Sequence, residues 1–234
     1  MSSYPDTIII PARLSSTRLP SKVLLEHRGH SLIKHVIDQA LLVPRTRLIV
    51  ATEDVEIVEH LEGYRNVQTL LTPQFQTGTS RSFYVATTLN LQGVVINWQA
   101  DEPCIKPQWV DDLRNHCHRQ QSLATFVTRN TNLNDFLSTN HVKVVLNAQN
   151  FALYFSRSPI PGRKDSDYTR SLPFFQHLGL YAIPSQLMRA LSEIQTSNSG
   201  PLTEIEDLEQ LPWLYAGYSI YCSLLETDQN VIGI

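Results

Sequence analysis

The chain has 234 residues, 42% of them hydrophobic and 18% charged, and a formal net charge of −3. That composition supports one sizeable core, shows no Lys/Arg stripe with interleaved aromatics of the kind a nucleic acid requires, and holds no apolar run near the ~18 residues of a membrane span. The N-terminus lacks a basic and apolar leader, and Cys104, Cys117 and Cys222 are too far apart for a disulfide framework or a zinc knuckle, so a cytoplasmic globular protein with ordinary thiols is expected.

Thr7-Ile8-Ile9-Ile10-Pro11 predicts a buried parallel strand. The loop behind it, from Ala12 to Lys22, carries Arg13, Arg18 and Lys22 with several hydroxyls and no acidic residue. It suits polyphosphate, or is a solvated loop that happens to be basic; it lacks the glycines and the Gly-Lys-Ser/Thr ending of a P-loop. Ser31 is placed to cap a helix with apolar positions Leu32, Ile33, Val36, Ile37, Ala40 and Leu41, and His35 falls on its polar side. Strand Arg47 to Ala51, helix Asp54 to Leu61 and strand Val67 to Leu71 continue an alternation that predicts a doubly wound, mostly parallel sheet. Gln76-Thr77-Gly78-Thr79-Ser80-Arg81 then leads into a helix to about Leu89. Its free backbone donors and its cation fit a base or phosphate edge, although Thr79 or Ser80 as a plain helix cap accounts for it equally.

The run Gly93 to Ile96 ends in Asn97-Trp98-Gln99-Ala100-Asp101-Glu102-Pro103. A strand closing in this way sets a carboxylate at the sheet rim, where open α/β sheets gather ligands, so Asp101 is the first candidate metal ligand; the alternative is a turn enforced by Pro103. Helix Gln108 to Gln120 brings His116, Cys117 and His118 together in sequence but not on one face, which argues against a metal cluster. After strand Ser122 to Arg129 the pattern becomes strand-rich, with a hairpin formed by Val142 to Leu146 and Ala152 to Ser156. A basic, proline-stiffened loop from Arg157 to Asp165 leads to strand Phe174 to Tyr181. A helix after Pro184, another near Thr203 to Tyr215, and a closing strand from Tyr218 to Leu224 complete a single domain, residues 1 to 234, with a β-rich lobe inserted at about 140 to 182.

Ile9-Ile10-Pro11-Ala12-Arg13, Ser16-Thr17-Arg18-Leu19-Pro20, Lys22, Gln99 with Asp101-Glu102-Pro103, Val142 to Leu146, His177 to Tyr181 and Leu208-Glu209-Gln210-Leu211 occur in an order that resembles the sugar-activating cytidylyltransferases, and most closely the 3-deoxy-manno-octulosonate (Kdo) cytidylyltransferase family. The resemblance implies a nucleotide-diphospho-sugar transferase-like fold and transfer of CMP from CTP to Kdo or a relative, with release of pyrophosphate, for lipopolysaccharide biosynthesis. It implies Mg²⁺ on Asp101, with Arg13 and Lys22 as the catalytic cations. The nucleotide would be held by Ala12, Arg13, Arg18, Lys22, Thr77, Gly78, Arg81 and Gln99. The sugar acid would lie against Arg157, His177, Tyr181, Glu209 and Gln210, and the β lobe would form a homodimer.

The chain departs from the family pattern at Ser21 and Ala100, where a Gly is usual, at Ser80, where an acid is usual, at Gln76 in place of a His, and at Pro212 in place of an Arg. It stops at Gly233-Ile234, one residue before the family's second metal-binding Asp, and Asp228 lies too early to be that position. Two expectations follow, an active cytidylyltransferase or a catalytically silent paralogue that binds nucleotide or a partner without turnover.

Overall fold

The computed structural model describes residues 5–15, 19–162, 164, 173–197 and 205–225. Arg18, the tip of the loop after Arg157, and the C-terminal stretch with Asp228 and Ile234 lie outside them.

Eleven strands are named in chain order: β1 Asp6–Ala12, β2 Glu26–His27, β3 His30–Ser31, β4 Thr46–Thr52, β5 Val67–Leu71, β6 Val94–Asn97, β7 Leu123–Asn130, β8 Lys143–Leu146, β9 Ala152–Ser156, β10 Phe174–Pro184 and β11 Ile220–Leu225. The helices are α1 Leu32–Leu41, α2 Val55–His60, α3 Gly78–Thr88, α4 Pro107–Gln120, α5 Leu133–Leu137, α6 Met188–Thr196 and α7 Leu211–Tyr215. Nine strands form one sheet whose main path is β11-β7-β10-β6-β1-β4-β5. Along that path β1, β4, β5 and β6 are parallel, as are β7 and β11, and β10 alone runs the other way between β6 and β7. The expected α/β class with a mostly parallel sheet is what the chain forms.

The period-2 alternation of the strands divides the apolar residues between two cores. Ile8, Ile10, Leu48, Val50, Val94 and Ile96 face α1, α2 and α4. Ile9, Ile49, Ala51 and Val95 face the other side, with Phe83 of α3, Leu191 of α6 and Trp213 of α7. With both faces covered among the described residues, a ligand reaches the sheet at its strand ends.

Several boundaries differ from the sequence expectation. Strand β10 continues past Tyr181 because Ala182 and Ile183 pair with Ile96 and Val95. The helix expected from Thr203 reduces, among the described residues, to Ile205 and Glu206 and to α7: Asp207 has a left-handed backbone (φ 48°), and Pro212 sits in the first turn of α7, where its missing N–H costs no bond. Ser31 holds the cap position of α1 without bonding the helix, and its hydroxyl lies 2.8 Å from His60 Nε2 instead. The expected antiparallel hairpin is present as β8–β9, joined to the main sheet through the start of β10.

Candidate active site

Three strand-to-helix connections meet at the carboxyl ends of β1 and β6. After β1 the chain leaves over Arg13 and folds back, with Ser21 N–H donating to Leu14 O at 2.9 Å and Leu14 N–H donating to Asp54 Oδ2 at 2.8 Å. Ser21 then takes a left-handed backbone (φ 55°) immediately before the 3-10 turn Lys22–Leu24, a conformation that favours glycine. That fold-back returns Lys22 to the sheet rim. After β6, Trp98 is fully buried and its indole N–H donates to Glu102 O at 3.0 Å, while Glu102 N–H donates to Gln99 O at 3.2 Å. The tightened turn presents Asp101, and Lys22 Nζ meets Asp101 Oδ2 at 3.0 Å, with side-chain exposures of 19% and 43%.

The third connection is the start of α3. Thr77 caps the helix, its Oγ1 accepting from Ser80 N–H at 3.0 Å, so the cap is Thr77 and not Thr79 or Ser80, which lie inside the first turn. A Cβ on Gly78 would stand 2.9 Å from both Gln99 Oε1 and Pro11 Cγ, so glycine lets this helix end touch the other two connections. The result is a cleft of about 220 Å³ lined by Ala12, Arg13, Lys22, Thr77, Gly78, Arg81, Gln99 and Asp101 among others. Of the residues expected to hold a nucleotide, all within the described chain reach it.

A wider compartment of about 1090 Å³ adjoins this cleft and shares Arg13, Phe75, Thr77 and Gly78 with it. Its far wall carries Arg157, His177, Tyr181, Glu209 and Gln210, the residues expected on the sugar side. His177 and Tyr181 flank an irregularity in β10 at Leu178 to Tyr181, and the Thr125 hydroxyl is within 3.0 Å of Leu178 O, Leu180 O and His177 Nε2. Burial holds the His177 ring down to about 3, so it is neutral, and pushes the Tyr181 phenol well above its ordinary value. Glu209 Oε1 accepts from Thr79 Oγ1 at 2.7 Å, Thr79 Oγ1 accepts from Asn97 Nδ2 at 2.7 Å, and Ser82 Oγ donates to Asn97 Oδ1 at 2.9 Å. Burial outweighs the Thr79 bond and raises the Glu209 carboxyl to about 7. Gln210, 2% exposed, keeps its Nε2 without a hydrogen-bond partner among the described residues.

Two arginines differ in kind from the free cations the sequence suggested. Arg81 is 2% exposed, paired with Glu53 and bonded to Thr72 Oγ1 at 2.8 Å; its guanidinium lies under the Phe75 ring and supports the cleft wall. Arg157 spends its guanidinium on the carbonyls of Glu206 (2.7 Å), Asp207 (2.9 Å) and Thr139 (3.1 Å). Sequence reasoning also passed over Phe75, Ser192 and Gln195, which line the cleft, and read Thr79 only as part of its turn or as a cap, whereas its hydroxyl braces Glu209. Thr79 was open to detection as the neighbour of Gly78, but α6 reaches the site only through the return of β10, which leaves no local signal.

The rim also presents donors that suit a divalent cation. Asp101 is partly exposed and Lys22 takes one of its oxygens; beside it Glu102 Oε2 is buried without a partner among the described residues, and burial with the neighbouring Asp101 charge raises that carboxyl to about 7. Mg²⁺ binds through one or two carboxylates and completes its shell with substrate phosphates and water, so this donor set fits it.

The sequence profile of the cytidylyltransferases matches residues 7–220. The chain belongs to the cytidylyltransferase family. Among curated cytidylyltransferases, the 3-deoxy-manno-octulosonate cytidylyltransferase of Hahella chejuensis is 37% identical over 94% of this chain and 89% of its own length, and that of Cytophaga hutchinsonii is 36% identical over 97% and 91%. A solved CMP:2-keto-3-deoxy-manno-octonic acid synthetase complexed with CTP superposes with a TM-score of 0.83, at 31% identity and covering 94% of this chain and 90% of that one. The 4-diphosphocytidyl-2C-methyl-D-erythritol synthase of Anaerococcus prevotii (TM-score 0.66, 13% identity, 100% of this chain and 93% of that one) shares the cytidylyltransferase fold.

Proposed function

We propose that this cytidylyltransferase moves CMP from CTP to 3-deoxy-manno-octulosonate, making the activated sugar used in lipopolysaccharide assembly. The supporting observation is the junction of the two compartments: the Lys22–Asp101 rim on one side, His177, Tyr181, Glu209 and Gln210 on the other, with Arg13, Thr77 and Gly78 common to both. In the reaction the anomeric oxygen of the sugar acid forms a bond to the α-phosphorus, the bond to pyrophosphate breaks, and the hydroxyl proton leaves with the solvent or a base.

On this reading Arg13 and Lys22 neutralise charge on the triphosphate, and Thr77, Gly78 and Gln99 hold the cytidine. Neutral His177 and Tyr181 with the Gln210 amide orient the sugar without adding charge to a largely buried wall. Mg²⁺ on Asp101 would offset charge on the α-phosphate and the leaving group. The same reading places the protein in the cytosol, where CTP is available, as a homodimer formed through the β8–β9 hairpin.

The test is pyrophosphate release by the purified chain with CTP, Mg²⁺ and Kdo. Release that needs all three is expected. Saturable CTP binding with no product from Kdo or any related sugar acid would replace this reading with that of a silent binding paralogue.

A further inference from the structure

Lys143 is a lysine whose side chain is completely buried, and its three N–H groups all end on backbone carbonyls: Ser138 at 2.9 Å, His141 at 2.7 Å, and Arg157. An ammonium offers three donors and no acceptor, so this cage uses every one. Burial lowers the lysine to about 8, with Glu206 opposing and Arg157 adding to the fall, so at neutral pH the donors are largely present. Arg157 is then fixed from its other atoms. Its backbone N–H donates to Glu206 Oε2 at 2.8 Å, Ser156 Oγ donates to Glu206 Oε1 at 2.6 Å, and its guanidinium holds the carbonyls of Glu206 and Asp207.

The segment so held is the one that carries Glu209 and Gln210. Asp207, whose carbonyl Arg157 grips, has the left-handed backbone that turns the chain toward those two residues. A non-glycine residue keeps that conformation only where its surroundings enforce it. Neither Lys143 nor Glu206 lines the cleft, whereas Asp207, Leu208, Glu209 and Gln210 do.

We propose that Lys143 is a positioning residue for the acceptor side of the cleft, acting through Arg157 and Glu206 to hold the segment that presents Glu209 and Gln210. This rests on the acceptor reading given above. A general core role would weaken the whole molecule; a positioning role acts on one substrate and one segment.

The experiment compares Lys143→Met and Glu206→Ala with the parent protein in two measurements. In steady-state assays the KM for Kdo rises at least about tenfold in each variant while the KM for CTP stays within about twofold, and the double variant is no worse than the more severe single one. In amide hydrogen exchange without substrates, peptides covering residues 205–212 exchange faster in both variants and those covering 78–88 do not. An unchanged KM for Kdo in a folded variant, or exchange that rises evenly over the chain with both KM values, overturns the proposal. If Lys143→Met does not fold, Lys143→Gln takes its place beside Glu206→Ala in both measurements. If the parent protein transfers to no sugar acid, the functional reading fails, and the exchange pattern still decides the role of Lys143.

Discussion

At the scale of the residue, the Lys22–Asp101 pair sets two opposed charges where a triphosphate would add more negative charge. Replacing Asp101 by Asn removes one repulsive charge and frees Lys22, so CTP binding in EDTA tightens by about fivefold while turnover with Mg²⁺ and Kdo falls by at least about a hundredfold. Calorimetric titration with and without the chelator, beside the pyrophosphate assay, checks both halves, and an Asn variant with parental turnover contradicts them. Glu209 makes a prediction in pH. Its folded carboxyl titrates near 7 against an ordinary 4.5, so below about 4.5 it contributes nothing to stability; from there to about 7 the unfolded chain gives up a proton that the folded one keeps, and stability falls as pH rises. Glu209→Gln removes that deficit while keeping an acceptor for Thr79, and is expected to be more stable than the parent at pH 8 by on the order of 2 kcal/mol but not at pH 4.5, in urea melts at the two values. Lys22 and Asp101 were legible in the sequence because each lies in the connection that leaves a strand, after β1 and after β6. The partners that commit Arg81 and Arg157 were not, since Glu53 and Glu206 lie 28 and 49 residues away.

At the scale of the element, the start of α3 determines how closely three connections approach. Alanine at Gly78 would gain up to ~1 kcal/mol of helix propensity, but its Cβ meets the Pro11 ring, which cannot rotate away, and the Gln99 amide, which can. The clash outweighs the gain: a loss of ~1–3 kcal/mol in stability and a CTP affinity weaker by about tenfold are expected, read by thermal melts and by titration. Gly78 was found from its turn, although its reason, contact with β1 and with the turn after β6, needs the fold. Strand β10 shows where element reading stops. Its apolar pattern marked a strand, but a single strand does not state its direction, and only pairing with β6 and β7 reveals it as the antiparallel member. That reversal brings His177 and Tyr181 to the same compartment as Gly78.

At the scale of the whole molecule, the alternation of strands and helices was enough to give the doubly wound sheet, because each buried strand has to be covered on both faces. What it could not give is how the sheet ends. The edge strand β11 is covered by the turn of the hairpin, with Cys222 N–H donating to Asn150 O at 2.8 Å, whereas β9 pairs with β8 alone among the described residues and turns Leu153 outward at 60% exposure. An uncovered strand edge with a large apolar side chain favours association with another copy unless something blunts it. The parent protein is therefore expected to run in light-scattering chromatography at twice the 26.6 kDa of one chain, and Leu153→Lys, which sets like charges against each other across a two-fold contact, to run as a monomer with its CTP affinity intact. A parent protein that runs as a single chain, or a Lys variant that remains a dimer, removes the hairpin as the interface.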